Sequence, residues 1–234
     1  MGFYYFNYTY FIFIVPALIV TMIAQVRVKS AFSKYSKIAT AKNMTGAQTA
    51  DAVARFGGAF GVQVQRIPGE LSDNFDPRTN VISLSDDVYS ASSIAAVGVA
   101  AHEAGHAIQH AKGYFPNKIR SALVPVTNIG SRMAMPIVII GLILPVQYDF
   151  VVYFGIALYS LAVLFQLATL PVEFNASHRA VKALDEAGIL YPDELEGAKK
   201  VLIAAAMTYL AASFSAIMNL LRLLVIATGR RSRD

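Results

Sequence analysis

The sequence contains no cysteine in its 234 residues. Disulfide bonds and thiolate metal sites are therefore excluded, and cysteine usage says nothing about the redox compartment. Charged side chains are also scarce, because they make up 15% of the chain, whereas a soluble domain usually has about 25%. Together with a mean hydropathy of +0.49, this deficit indicates a membrane protein of one or two domains.

The net charge of +5 is modest for a chain of this length. The basic residues lie next to apolar segments, which is typical of side chains that flank a membrane. Aromatic and basic residues do not alternate as they do in RNA-binding modules, so we expect no nucleic-acid partner.

The N-terminal run from Phe3 to Gln25 has no charged residue and is long enough to span a bilayer. It lacks the basic start and the small-residue cleavage site of a signal peptide, so it is interpreted as a membrane anchor. Five basic residues follow before the first acid, Asp51. They are Arg27, Lys29, Lys34, Lys37 and Lys42. The positive-inside rule then places the chain from residue 27 onward in the cytoplasm.

Residues 44–120 have the pattern of a small mixed domain. Thr45 and Gln48 match a capping box, and the helix that they begin should stop at Gly57. The segments "VQVQRI" and "VISLS" predict two short strands. The turn-rich stretch "PGELSDNFDPRTN" lies between them, and its Asp73 and Asp76 are expected to serve turn formation. Residues 87–111 are predicted to form one continuous helix.

A second apolar region begins near residue 133, and Asp149 is its one charge before Glu173. Residues 133–148 and 150–172 predict a membrane hairpin with a very short turn, "PVQYD". Residues 201–221 could span again, but the basic tail would then lie outside, against the positive-inside rule. Either the rule is broken here, or this segment packs against the functional site without crossing.

These patterns divide the chain into five segments and predict its fold class. The segments are an anchor (1–26), a cytoplasmic α+β part (27–120), a transmembrane hairpin (121–172), a cytoplasmic helical segment (173–200), and a C-terminal hydrophobic helix with a basic tail (201–234). We expect a mainly α, integral membrane protein with three or four membrane helices. Its small α+β part bears an H-E-x-x-H helix at residues 102–106, for which we expect a zincin-like catalytic domain.

The stretch "VAAHEAGHAIQH" carries three of the four histidines of the chain, and it contains H-E-x-x-H at His102, Glu103 and His106. Positions i and i+4 share one face of a helix, so the two imidazoles can bind one metal ion. The glutamate beside the first ligand can act as general base, and Zn²⁺ suits such ligands. An ordinary surface helix explains the motif less well, because the surrounding face is small and apolar. Gly105 should give the site room.

A third protein ligand is needed, and Glu173 in "LPVEFNASHRA" is the best candidate. The hairpin before it starts and ends on the same membrane face, so the chain returns to the histidine pair. The alternative is that Glu173 is a helix-start acid favoured by the helix dipole. His110 lies about 12 Å along the helix from His102, so it is interpreted as a polar flank.

Three further residues are weaker candidates. Ser177 lies one turn after Glu173 and could hold a ligand by a hydrogen bond. His178 or Tyr209 could stabilise an oxyanion, although a helical polar residue and a core aromatic are the simpler interpretations.

The run "LSDNFDPRTNVISLSDDVYSASSIAAVGVAAHEAGHAIQ" and the later "LPVEFNASHRA" resemble the YugP-like family of bacterial membrane zinc peptidases. More distantly, the layout is similar to HtpX-type and CAAX prenyl proteases. The resemblance covers most of the chain from about residue 44. It implies His102 and His106 as metal ligands, Glu103 as base and Glu173 as third ligand.

This chain departs from the family pattern at a few positions. It has Asn74-Phe75 where a His-Tyr pair is common, and Asn175 where Asp is common. An Asp stands at the position of Ser177 in the HtpX-type group, which affects the assignment of the residue that holds a ligand. By analogy, the strand "NVISLS" is expected to pair with an extended substrate.

The sequence thus predicts a zinc-dependent endopeptidase with one Zn²⁺ per chain. It should be an integral protein of the bacterial plasma membrane, with its catalytic face at the cytoplasm and membrane or membrane-proximal polypeptides as substrates. A site-2-type intramembrane metalloprotease is an alternative, with Asp185 in "ALDEAG" as the later ligand. Two others are a non-catalytic zinc-binding assembly factor or carrier, and a structural membrane protein without metal.

Overall fold

A computed structural model describes residues 8–69 and 72–231 of the chain. The start of the predicted anchor, two residues of the turn-rich stretch and the last three residues of the tail lie outside these ranges. The described chain is mainly helical. Its helices are α1 (Val15–Tyr35, after a π-helical turn at Tyr10–Ile14), α2 (Gly46–Phe56), α3 (Asp86–Tyr89), α4 (Ile94–Ala111), α5 (Phe115–Ile143), α6 (Asp149–Glu186) and α7 (Pro192–Arg231). Its strands are β1 (Gln63–Ile67), β2 (Asn74–Asp76) and β3 (Val81–Ser85).

The chain divides into two compact units. The helical unit comprises the described parts of Met1–Ala24, Lys118–Leu170 and Thr208–Asp234, and the sheet unit comprises Gln25–Asn117 and Pro171–Met207. Several long helices therefore contribute residues to both units. These two units are defined by contacts in space, whereas the five segments predicted from the sequence are defined by membrane position. The five segments therefore stay a prediction.

The sheet unit contains a three-stranded sheet in the order β1-β3-β2. β3 pairs in parallel with β1, with Gln63 opposite Val81, and antiparallel with β2, with Asn74 opposite Ser83. The two strands predicted from the sequence are present, and β2 is an addition within the turn-rich stretch. The expectation that "NVISLS" pairs with substrate is wrong, because β3 is the central strand and both its edges are already paired.

Helix α2 begins as its sequence predicts. The Thr45 side chain accepts a hydrogen bond from Gln48 N, and the Gln48 side chain accepts one from Thr45 N, which completes the capping box. The helix ends at Phe56, just before Gly57, and buries Ala50, Val53 and Ala54. This burial orients α2 against the rest of the sheet unit.

The single helix predicted for residues 87–111 is wrong, because the structure has α3 and α4 with a break between them. Ser93 caps α4 by accepting a hydrogen bond from Ala96 N. The break pairs with a distant segment, since Thr40 N donates to Ser92 O and Ile94 N donates to Ile38 O. Backbone groups that bond to residues more than 50 positions away cannot also bond within a helix.

The core of the sheet unit sits around α4. The helix buries a face of small residues, which lets neighbouring helices approach closely. These residues include Ala100, Ala101, Ala104 and Ala107. The same core contains Ala180, Ala183 and Leu184 of α6. The fold thus packs α4, which carries the H-E-x-x-H motif, against the C-terminal part of α6. This part of the second hairpin helix is predicted to lie on the cytoplasmic side.

The helical unit carries the membrane character of the protein. Within the described ranges, three helices are long and apolar enough to cross a membrane, and a fourth span results if Phe115–Pro125 and Thr127–Ile143 are counted together. α5 and α6 are joined by a short turn with a 3₁₀ segment, Val146–Tyr148. Val138 of α5 and Val152 of α6 share a buried cluster with Leu223 of α7.

Candidate metal centre

The candidate centre lies within the sheet unit, on two helices. α4 carries His102, Glu103 and His106, and α6 carries Glu173. The helical spacing of the two histidines puts their rings on one face, with centroids 4.8 Å apart. The structure therefore brings together the three residues that the sequence proposes as metal ligands.

The distances between these side chains fit a single metal ion. Glu173 Oε2 lies 3.3 Å from His102 Nε2 and 3.4 Å from His106 Nε2. Two donors about 2.0–2.1 Å from a tetrahedral zinc ion would lie about 3.3–3.4 Å apart. All three donor atoms lie within 4.8 Å of one another. Two imidazole nitrogens and one carboxylate oxygen are the donor set of many catalytic zinc sites.

Burial also distinguishes this cluster from a surface group of charges. The Glu173 side chain is 3% exposed, and each histidine side chain is 13% exposed. Glu103 is buried on the same helix. The buried carboxylate of Glu173 needs a cation or hydrogen-bond donors to offset its desolvation. A metal ion that Glu173 holds together with the two imidazoles would supply that cation.

Each histidine has a second polar neighbour on its other ring nitrogen. His102 Nδ1 lies 3.1 Å from Ser177 Oγ, and His106 Nδ1 lies 3.1 Å from Gln109 Oε1. Such contacts orient imidazole ligands and leave Nε2 directed at the metal. The Ser177 contact agrees with the geometry expected for a residue one turn after Glu173.

The sequence analysis did not identify Gln109, whose side-chain amide contacts the Nδ1 atom of His106. Gln109 is fully buried, and its Nε2 donates to Val172 O at 2.7 Å and to Asn175 Oδ1 at 3.0 Å. Arg179 Nε donates to the same Asn175 oxygen at 2.7 Å. The available signal was the i, i+3 spacing of His106 and Gln109, which places them on neighbouring positions of one helix face.

Three other candidates lie apart from this cluster or in the other unit. His110 is exposed and contacts the Phe75 ring, with centroids 5.9 Å apart. His178 is exposed on α6. Tyr209 belongs to the helical unit. The oxyanion roles considered for His178 and Tyr209 stay predictions.

The two acids of the turn-rich stretch behave differently from each other. Asp76 Oδ1 accepts a hydrogen bond from Arg78 N, which is the local turn contact that the sequence predicts. Asp73 instead accepts hydrogen bonds from Ser85 N and Ser85 Oγ. The turn role expected for Asp73 is therefore wrong, because this carboxylate holds the end of β3, 12 residues away.

Comparisons with known proteins agree with this geometry. A family profile described as "putative neutral zinc metallopeptidase" matches residues 10–228. The chain is 41% identical over 225 residues to the "Putative membrane protease YugP" of Bacillus subtilis (strain 168), and the match covers 96% of this chain and 99% of that protein. No solved structure gives a significant match.

Proposed function

Because the chain belongs to the neutral zinc metallopeptidase family, we propose that it is a membrane-embedded, zinc-dependent endopeptidase. Family membership confirms the resemblance to YugP-like peptidases. The finer reading is that the enzyme hydrolyses peptide bonds with Glu103 as general base and one zinc ion per chain. The observation that carries it is the convergence of two imidazoles and one carboxylate beside a buried glutamate.

His102, His106 and Glu173 would hold the metal through two Nε2 atoms and one carboxylate oxygen. Zinc in such a site supplies Lewis acidity, which lowers the pKa of water and polarises a substrate carbonyl. Glu103 would accept a proton from the attacking water on a carboxylate oxygen and then deliver it to the leaving amine. Its position supports this role, since Glu103 is buried directly beside His102 on α4.

Substrates are proposed to be membrane or membrane-proximal polypeptides. Three helices able to span a bilayer support this, as does the similarity to the Bacillus subtilis protein, which is named a putative membrane protease. The run of basic residues after α1 supports a cytoplasmic catalytic face in the bacterial plasma membrane. Since β3 is internal to the sheet, the outer edges of β1 and β2 are the better candidates to pair with an extended substrate.

The site-2-type alternative is weaker because its one candidate aspartate, Asp185, and the hairpin's Asp149 both have other surroundings. Asp185 is exposed on α6. Asp149 lies in the helical unit, where its Oδ1 is 3.5 Å from Arg230 Nε. Among the described residues, neither belongs to the group that could hold a metal ion. A non-catalytic zinc protein remains the second alternative, and Glu103 separates it from a peptidase.

Glu103→Gln tests the proposal most directly, with the exposed Glu186→Gln as the matched control. Both variants should bind one zinc ion per chain in detergent. Cleavage of casein by the purified protein should fall at least about 10²-fold in Glu103→Gln and stay unchanged in the control. Equal cleavage by Glu103→Gln would exclude the base assignment. Zinc binding without any cleavage by the wild type would favour the non-catalytic alternative.

A further inference from the structure

We propose that a directed chain of hydrogen bonds, from Arg179 through Asn175 to Gln109, fixes the tautomer and orientation of His106. This inference rests on the proposed function, since it assigns a role toward the same metal. Gln109 is in this view a positioning residue, which acts on the metal through His106. Each step follows from which atoms can donate and which can only accept.

The chain of hydrogen bonds starts at Arg179. A guanidinium group has only donors, so the atom of Asn175 that faces Arg179 Nε at 2.7 Å must be the amide oxygen. The Arg179 guanidinium also lies 5.6 Å from the centroid of the Tyr114 ring, within the range of a cation–π contact. Arg179 is thereby held in place, and it sets the orientation of the Asn175 amide.

The next step fixes the amide of Gln109. Its Nε2 faces two acceptors, Asn175 Oδ1 at 3.0 Å and Val172 O at 2.7 Å. Turning the amide over would place its oxygen against both of these oxygens. Because the Gln109 side chain is fully buried, water cannot compensate, and an unsatisfied buried polar group costs about 1–3 kcal/mol. One orientation of the amide is therefore strongly favoured.

The last step fixes His106. With Nε2 of Gln109 used as donor, Oε1 is the atom 3.1 Å from His106 Nδ1, and a carbonyl oxygen can only accept. His106 Nδ1 must then carry a hydrogen, which directs the lone pair of Nε2 at the metal position. His102 differs, because its neighbour Ser177 has a hydroxyl that can donate or accept and so permits either tautomer.

Gln109 also connects the two helices that carry the ligands. It sits on α4, three residues after His106, and it bonds to the carbonyl of Val172, which directly precedes Glu173 on α6. A single buried amide thus holds one imidazole ligand and the backbone beside the carboxylate ligand. Loss of the amide should loosen both.

The test measures zinc affinity by chelator competition on the full-length protein in detergent. The variants are Gln109→Leu, Arg179→Met and Asn175→Asp, with the exposed Glu186→Gln as the control for zinc affinity. Ser177→Ala, which changes the neighbour of His102 instead, serves as a comparison for the state of His106 alone. Gln109→Leu should raise the dissociation constant for zinc about 10- to 100-fold. Arg179→Met should raise it less, and Asn175→Asp, which keeps the acceptor, should stay near the wild type.

A second readout separates positioning from general destabilisation. The chain has only four histidines, so the Nδ1–H proton of His106 can be followed by NMR in the zinc-loaded protein. It should exchange slowly with water in the wild type and in Ser177→Ala, and faster in Gln109→Leu and Arg179→Met. Arg179 is only half-buried, so its variant remains informative if Gln109→Leu fails to fold.

If the Gln109 and Arg179 variants fold, bind zinc with wild-type affinity and keep a slowly exchanging His106 Nδ1 proton, the proposed chain of hydrogen bonds is wrong. That result would leave the proposed peptidase function untouched. Conversely, a wild type that binds zinc but cleaves nothing would overturn the peptidase function. The differences in zinc affinity between the variants would still support the chain of hydrogen bonds.

Discussion

Gly105 of α4 lies directly against the backbone of Ala176 on α6. A Cβ atom built on Gly105 would lie 2.4 Å from Ala176 O and 3.1 Å from Ala176 C. Real Cβ atoms essentially never approach a backbone oxygen so closely, so the two helices can meet here only through a glycine. Gly105 lies next to His106, and Ala176 lies three residues after Glu173, so this contact sets the spacing of the candidate metal ligands.

Gly105→Ala should therefore displace α6 from α4 and weaken zinc binding. Backbone on both sides of the contact cannot move aside as a flexible side chain could, so we expect a loss of about 1–3 kcal/mol in stability from overpacking. Zinc per chain and the midpoint of thermal unfolding in detergent measure the two effects.

Gly98→Ala is the matched control for this prediction, because it lies on the same helix. Its added Cβ would lie 3.5 Å from Ala198 Cβ, which is an ordinary contact. Alanine also favours helix by up to about 1 kcal/mol over glycine, so Gly98→Ala should bind zinc normally and be no less stable. Equal behaviour of the two variants would show that the close contact does not matter.

The three candidate metal ligands were predictable from the sequence because their signals are local or follow from the predicted chain topology. The spacing of His102 and His106 depends only on helix geometry, and Glu173 was reached from a hairpin that is predicted to return to the same membrane face. Gln109 was overlooked because a glutamine in a helix has many ordinary roles. Its partners on α6, Val172 O and Asn175 Oδ1, are more than 60 residues away along the chain.

Glu173→Ala should abolish stoichiometric zinc binding. The variant leaves two imidazoles, and structural or catalytic zinc normally requires at least three protein ligands. Metal analysis after dialysis against a weak chelator should give one zinc per chain for the wild type and clear loss for the variant. Full retention of zinc would mean that another residue is the third ligand.

The control for this prediction is Glu186→Ala, at the C-terminal end of α6. Glu186 is exposed and pairs with Lys182 at 3.7 Å. An exposed pair of this kind contributes little to stability. Loss of zinc from Glu186→Ala would indicate a general effect of removing charge from α6 rather than loss of a ligand.

Asp73→Ala should destabilise the protein more than Asp76→Ala does. Asp73 accepts hydrogen bonds from both Ser85 N and Ser85 Oγ, and Ser85 is fully buried. Removing the carboxylate leaves these donors unsatisfied, at a cost of about 1–3 kcal/mol. Asp76 serves an exposed turn at Arg78 N, where water can replace it. The difference in unfolding midpoints checks this, and equal midpoints would contradict it.

The fold shows the same limit of local reasoning. The capping box at Thr45 and both predicted strands were readable because each signal lies within a few residues. The break at Ser93 was not, since it depends on backbone bonds to Ile38 and Thr40. The edge strand β2 is short and follows residues that favour turns, so only its pairing with β3 defines it as a strand.

The course of the last helix can be argued from contacts within the helical unit. Arg230 near the end of α7 donates hydrogen bonds to Gly141 O and Leu144 O, at the end of α5, and its Nε lies 3.5 Å from Asp149 Oδ1. The end of α7 thus lies beside the hairpin turn. These contacts also satisfy a charge that would be costly if it were left alone near a membrane.

We therefore expect α7 to cross the membrane and to end on the same face as the hairpin turn. Because the sequence has no cysteine, single cysteines can be placed at Gln147 and at Ser232 in the tail, with Lys37→Cys as the control for the opposite face. In intact cells, a membrane-impermeant thiol reagent should label the first two and leave the third unlabelled. Labelling of Gln147→Cys without labelling of Ser232→Cys would mean that α7 does not cross. Such a crossing would place the basic tail against the positive-inside rule, and the contacts of Arg230 with backbone carbonyls and Asp149 would offset the charge of one of its arginines.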